Sequence, residues 1–423
     1  MKKMTYPLDN VGLIYPAIIT KNNSTLFRMS AHVKGLVHVS VLQQALENIL
    51  PRFPIFRTSL CRGVFWPYLE ENFRKPKLYP NDTPSQGYRV DKNHHYPFRV
   101  CVRGRNITME ASHIITDGYG AMIFLRSLLA EYFFLLEKFP TRIDSVINPY
   151  TLFNKDEISD AYLRYASSGA IHASSRRSGY AFIEPARKVS APFLKILRMS
   201  VALDEIRALA KKNKVTVTEF LLAIYFSAYQ DLMFNYPPKE IYRRPIRITT
   251  PVNLRKFFET ETLRNFIALI SLEINPRLGV FSFEEILNEV HYAMRRELVA
   301  KHFQPFIGSS VRKADAKLIA SIPLFIKKPV VRLFHADAMR HETSVLSNLG
   351  IVELPPQLES LVERWDFTPA PKWVNKRDCS VVGYKNDLVI CFSRIVHSDL
   401  VEHYFYQRLV HHGLKVTVKE LEP

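Results

Sequence analysis

The chain has 423 residues, 47% hydrophobic and 12% aromatic, too long for one ordinary core and apolar enough to fill two of roughly 200 residues each. Its formal charge of +18 and pI near 9.6 attract polyanions by long-range field. Basic residues nonetheless never run beyond two or three together, and no zinc-finger spacing or nucleic-acid module is present, which excludes a nucleic-acid binder.

In chain order, Phe27, Met29, Ala31 and Val33 alternate with Arg28, Ser30, His32 and Lys34, the period-2 pattern of a strand with one buried face. A helix follows, with Leu42, Ala45, Leu46 and Ile49 as its apolar stripe and Pro51 as its stop. Short strands are expected near Ile55 to Leu60 and Phe98 to Val102, the second turning through Arg103-Gly-Arg105 into a strand that ends at Ser112. After Gly118-Tyr-Gly120, the residues Ala121, Phe124, Leu125 and Leu128 recur at helical spacing, and the helix runs to about Lys138. Strands and helices mix here without regular β-α-β alternation, so the class is α/β of the mixed α+β kind, with mixed sheets.

Periodicity lapses in the polar stretch from Ala173 to Ala191, read as the crossover between domains 1–180 and 181–423. It restarts with a strand from Leu194 to Ala202, a helix near Asp204, and a second helix introduced by Thr218 with Phe220, Leu221, Ile224 and Tyr225 on its inner face. Ile246 to Val252 and Phe266 to Glu273 read as strands, and Phe283 to Leu298 as a helix. Leu318 to Ile326 followed by Lys327-Lys328 pairs an apolar run with positive charge, which fits peripheral membrane contact or, as the plainer reading, a buried helix. Cys379 to Gly383 and Leu388 to Ile395 flank Lys385-Asn-Asp387 as a hairpin, closed by a helix from Ser398 to His411.

Cys61, Cys101, Cys379 and Cys391 form no C-x-x-C pair and no metal-ligand spacing with nearby histidines, which points to a reducing compartment and no structural metal. Met1 to Asn10 has no apolar signal segment, and no apolar run approaches the length of a spanning helix. A soluble, cytoplasmic protein is expected.

His113-Ile-Ile-Thr-Asp117-Gly118 closes a strand and opens a helix, the position at which a general base can stand exposed on a rigid frame. A histidine at a strand end is ordinarily a satisfied polar residue; the strand-turn-helix placement and the segments below favour function. His113, Asp117 and Gly118 match the H-x-x-x-D-G signature of the coenzyme A-dependent acyltransferase superfamily, which spans chloramphenicol acetyltransferase, alcohol acetyltransferases, plant acyltransferases and the condensation domains of peptide synthetases. Tyr6-Pro-Leu-Asp9, the strand-helix pair from Thr25 to Leu50 with Arg52-Phe-Pro54, Thr250-Pro-Val-Asn-Leu-Arg255 and Ser347-Asn-Leu-Gly350 resemble its alcohol acetyltransferase branch. Condensation domains carry a second histidine where Ser112 stands, and the plant branch carries Asp-Phe-Gly-Trp-Gly where Asp366-Phe-Thr-Pro lacks both glycines.

The resemblance implies two similar domains with a channel at their interface and His113 midway along it. It implies transfer from acyl-coenzyme A, as co-substrate, to a small or lipidic hydroxyl acceptor, with a separate carrier protein as the alternative donor and an amine as the alternative acceptor. A non-catalytic binding protein on the same fold is the reading from another class. The chain has no G-x-S-x-G elbow and no cysteine beside His113, so direct attack is expected rather than an acyl-enzyme. In the family the aspartate braces the turn against an arginine, which here looks like Arg255. Gly118 then allows close approach or an unusual dihedral. Asn348 and Ser347 are the oxyanion candidates, the alternative being that their segment only shapes its strand. Tyr119 and Tyr180 are weaker candidates for the acceptor side, and Arg255 and Lys256 for coenzyme A phosphates.

Overall fold

A computed structural model describes residues 3–19, 26–80, 96–166, 179–190, 194–237, 239, 243–315, 321–369 and 372–421, apart from the side chains of 310 and 312–315. Thr25, residues 173–178 and Ala191 of the expected crossover, and residues 318–320 of the apolar run lie outside these.

In chain order the strands are β1 (Thr5–Pro7), β2 (Leu26–Val33), β3 (Thr58–Cys61), β4 (Tyr68–Glu71), β5 (Leu78–Pro80), β6 (Phe98–Arg103), β7 (Asn106–Ser112) and β8 (Lys195–Ala202). They continue as β9 (Ile246–Asn253), β10 (Ile267–Ile274), β11 (Ser344–Ile351), β12 (Val362–Thr368), β13 (Arg377–Tyr384), β14 (Asp387–Arg394) and β15 (Thr417–Leu421). A five-stranded sheet runs β12-β2-β7-β6-β5, a seven-stranded sheet β10-β9-β11-β13-β14-β8-β15, and a small sheet β1-β4-β3. Both large sheets are mixed: β5 and β6 are parallel beside antiparallel neighbours, and β11 lies parallel to both β9 and β13. The fold class is therefore mixed α/β.

The alternation read in β2 is what buries it. Met29 and Ala31 face the first core with the stripe Leu42, Ala45, Leu46 and Ile49 of helix Val39–Ile49, while Arg28 and Ser30 face away, Ser30 onto Thr108. Helix Gly118–Leu135 closes that core and ends three residues before Lys138, where Glu137 takes a left-handed turn. The second core lies between the seven-stranded sheet and helices Val217–Phe234, Phe283–Glu297 and Leu400–His411. Helix Val217–Phe234 is introduced not by Thr218 but by Thr216, whose hydroxyl and the Glu219 carboxylate satisfy each other's backbone N–H groups in a capping box. The expected Ile55 to Leu60 strand is confined to β3, because Phe53 and Phe56 turn into the core instead.

β12 stands apart. It lies late in the chain, yet pairs antiparallel with β2 and puts Trp365 at 0% exposure into the first core. The second half of the chain thus completes the first half's sheet.

Candidate active site

β7 ends at Ser112, and the turn Ser112 to Ile115 lifts His113 out of the sheet at the entrance of helix Gly118–Leu135. Its ring stacks on Tyr15 at a centroid distance of 5.2 Å and leans on Phe27 at 4.7 Å. Its Nδ1 lies 3.2 Å from Oδ1 of Asn265, at the entry of β10. The Asn265 amide cannot be turned the other way: its Nδ2 donates to the His113 carbonyl at 2.8 Å and to the two Asp9 oxygens at 3.1 and 3.0 Å. Oδ1 is an acceptor, so Nδ1 carries the proton and Nε2 the lone pair. Burial holds the imidazole below its ordinary pKa, against the Asn265 hydrogen bond and the charges of Asp117 and Asp9. At neutral pH the ring is a neutral base.

Asp117 is the N-cap of that helix, its Oδ1 accepting from the Gly120 N–H at 3.1 Å. Its Oδ2 accepts from Arg255 Nη1 at 2.8 Å and from the Phe266 N–H at 2.9 Å. None of these bonds reaches the imidazole. Arg255 in turn donates to the carbonyls of Thr262 and Arg264 and to Asn253, and lies 4.6 Å from the Tyr119 ring centre. The guanidinium is fully engaged in bracing the loop that carries Asn265, and Tyr119 is beneath it.

Gly118 has ordinary helical geometry, and a Cβ there would meet only the side-chain tips of Leu349 at 3.0 Å and Phe367 at 3.9 Å. The glycine the backbone requires is Gly120, where a Cβ would fall 2.1 Å from the Leu263 carbonyl oxygen. Thr116 donates to the same oxygen at 2.7 Å. Turn and loop are thereby pressed together at that point.

Ser347 and Asn348 lie on β11 beside a register shift in its pairing with β13, where Gly350 takes φ 85. Asn348 donates to the Thr218 hydroxyl at 2.9 Å and accepts from the Gly350 N–H at 2.8 Å, so its amide shapes the bulge. The Ser347 hydroxyl has no hydrogen-bond partner among the described residues, although its backbone pairs with β13. Tyr180 is held by Asp337 and His341, and Lys256 is exposed. Among the described residues no three His, Cys, Asp or Glu side chains gather as a metal site, and no helix is long and apolar enough to cross a membrane.

Asn265, Asp9 and Tyr15 are the residues that sequence reading missed as site members. Asp9 is fully buried, and burial pushes its carboxyl up to about 6 against Arg264 and the Gly12 N–H. Asp9 stands in the Tyr6-Pro-Leu-Asp9 segment, and Asn265 directly precedes the apolar run Phe266 to Ile270 that enters β10; neither pattern by itself marks a site. Tyr15, raised to about 12 by burial, also senses Lys372 and Glu342, which form an ion pair of 2.7 Å with each other.

Solved structures of this fold match nearly the whole chain. The trichothecene 15-O-acetyltransferase from Fusarium sporotrichioides has a TM-score of 0.64 at 11% identity, over 97% of this chain and 94% of its own. An F. graminearum protein solved with coenzyme A and T-2 mycotoxin gives 0.63 at 11%, over 97% of each chain. The condensation domain from monacolin K polyketide synthase gives 0.61 at 13%, also over 97% of each. The fold is that of coenzyme A-dependent acyltransferases and condensation domains. No protein-family model and no curated protein sequence matches the chain, so the likeness is one of fold.

Proposed function

We propose that this chain transfers an acyl group from acyl-coenzyme A to a hydroxyl acceptor by direct attack, with His113 as the general base. The observation that carries the reading is the Asn265 clamp, which fixes the proton on Nδ1 and leaves Nε2 as the proton acceptor. Nε2 takes the acceptor's hydroxyl proton as its oxygen attacks the thioester carbonyl. The tetrahedral oxyanion then collapses, the C–S bond breaks, and the thiolate leaves with the proton from Nε2. With Asn348 committed to Thr218, the Ser347 hydroxyl is the better placed of the two to donate to the oxyanion. Asp117, Gly118 and Arg255 serve the structure of the site. The +18 charge favours a polyphosphorylated donor, and the acceptor is a small or lipidic alcohol reaching His113 along a channel between the lobes. The lobes divide near residue 180, as 1–180 and 181–423, with β12 handed back to the first. The four free cysteines fit a reducing cytoplasm, and the chemistry requires no bound cofactor.

The likeness to a condensation domain favours a second reading, in which the acyl group arrives on a carrier protein's phosphopantetheine arm and an amine can replace the alcohol. Thiol release from a series of acyl-coenzyme A donors, with and without alcohols, tests the first reading. His113→Ala is expected to lower that rate about 10²–10⁴-fold with an unchanged melting temperature. Equal turnover in a folded His113→Ala protein overturns the mechanism. Transfer only from the carrier-bound acyl group replaces the first reading with the second, and transfer from neither leaves a binding protein.

A further inference from the structure

Helix Leu324–Met339 is inside out. Lys327 points inward, its Nζ donating to the Phe65 carbonyl at 3.1 Å and lying 3.5 Å from the Trp66 ring centre. The apolar residues point outward instead, with Phe325 75%, Leu333 72% and Phe334 73% exposed and Ile326 and Val330 nearly half exposed. At about 100° per residue Phe325, Leu333, Ile326, Val330 and Phe334 fall in that angular order within roughly half of the helix circumference, so they make up one broad solvent-facing side. Val64 and Phe65, also exposed, extend it from the neighbouring loop, which is tied to the helix by the Leu324 N–H on the Val64 carbonyl. Water gives such a face no reason to exist, and a contiguous patch of this kind marks a surface that something covers.

The charges around it select the occupant. Residues 324–340 hold four basic side chains, Lys327, Lys328, Arg332 and Arg340, against one acidic, Asp337. Lys328 lies close enough to Arg62 and Arg332 to feel both charges, which makes one rim of the face cationic. Asp337 is engaged by Tyr180 and His341. A second copy of the chain would bring its own cationic rim towards this one, whereas an anionic bilayer supplies hydrocarbon for the face and negative headgroups for the rim. We propose that helix Leu324–Met339 docks this protein in the plane of an anionic lipid surface. Arg332 also donates to the Ala17 carbonyl at 2.5 Å, so the docking helix leans on helix Tyr15–Ile18, whose Tyr15 stacks on His113. The docked face lies one short helix from the candidate base.

The full chain is mixed with vesicles of phosphatidylcholine alone or containing a third phosphatidylglycerol, and the bound fraction is read by co-sedimentation. The wild type is expected on the anionic vesicles, with binding reduced about tenfold or more in the Phe325→Ser, Leu333→Ser, Phe334→Ser triple variant and reduced again by Lys328→Glu. Because all four side chains face solvent or the rim, circular dichroism and the melting temperature should be unchanged. The reading fails if the wild type stays in the supernatant, or if the triple variant sediments as the wild type does. A wild type that is a dimer by light scattering, binds no vesicles, and becomes a monomer in the triple variant assigns the face to a second copy instead. The readout is binding, so it is independent of whether acyl transfer is the reaction.

Discussion

Asp117 accepts from Gly120, Arg255 and Phe266, and thereby ties the helix entrance to the loop that carries Asn265. Asp117→Asn replaces one acceptor oxygen by a donor and leaves a nearly buried guanidinium uncompensated, a change that costs about 3–5 kcal/mol when a buried pair is broken on one side. A thermal melt is expected to show that loss, with activity falling in proportion to misfolded material; wild-type stability with no activity would give Asp117 a direct chemical part. The imidazole makes a separate prediction through pH. Its pKa is depressed by burial, so the neutral base persists below the ordinary value of 6.5, and kcat/KM should hold through that pH and fall only at lower values. Asp9 has the opposite sign. Its carboxyl is raised from 3.8 to about 6, so the stabilisation it contributes is complete below 3.8 and is lost as pH rises through about 6. Melting temperatures measured across pH 4 to 7 should therefore show a downward component that Asp9→Asn removes; an unchanged profile in that variant refutes the assignment.

At the scale of elements, the contact of the Thr116 to Gly120 turn with the Leu263 carbonyl is the tightest joint near His113. Gly120→Ala forces a methyl group against backbone and should cost about 1–3 kcal/mol or more, with a larger loss of activity than of stability because Asn265 is two residues from Leu263. If the variant melts and turns over like the wild type, the joint is not rigid. How far such features could be read in advance follows from their range. Strand β2, helix Val39–Ile49 and the hairpin β13-β14 were legible because each is specified by its own local pattern, the hairpin by the polar turn Lys385-Asn-Asp387 between two apolar runs. His113, Asp117 and Gly118 were legible through their spacing, and Arg255 through its segment. Asn265 and Gly120 were not, since what distinguishes them is a partner more than 140 residues away. The plainer expectation that the run Leu318 to Ile326 is buried fails at Phe325 and Ile326, which are exposed, because an apolar run does not say whether it meets core or solvent.

For the whole molecule, β12 decides what can stand alone. Residues 1–180 contain β2 and β7 but lack β12 on the other edge of β2, and without Trp365 the first core has a large unfilled space along an unpaired strand edge. That fragment, expressed by itself, is expected to be insoluble or to lack a cooperative melt, whereas co-expression with 181–423 should recover soluble material. A sharp thermal transition in the isolated fragment would show the halves to be independent.

The β12-β2 pairing runs through six residue pairs, from Val362 with Val33 to Thr368 with Arg28. The strand works as a belt passed through a buckle: the halves cannot swing apart without unfastening a run of backbone hydrogen bonds.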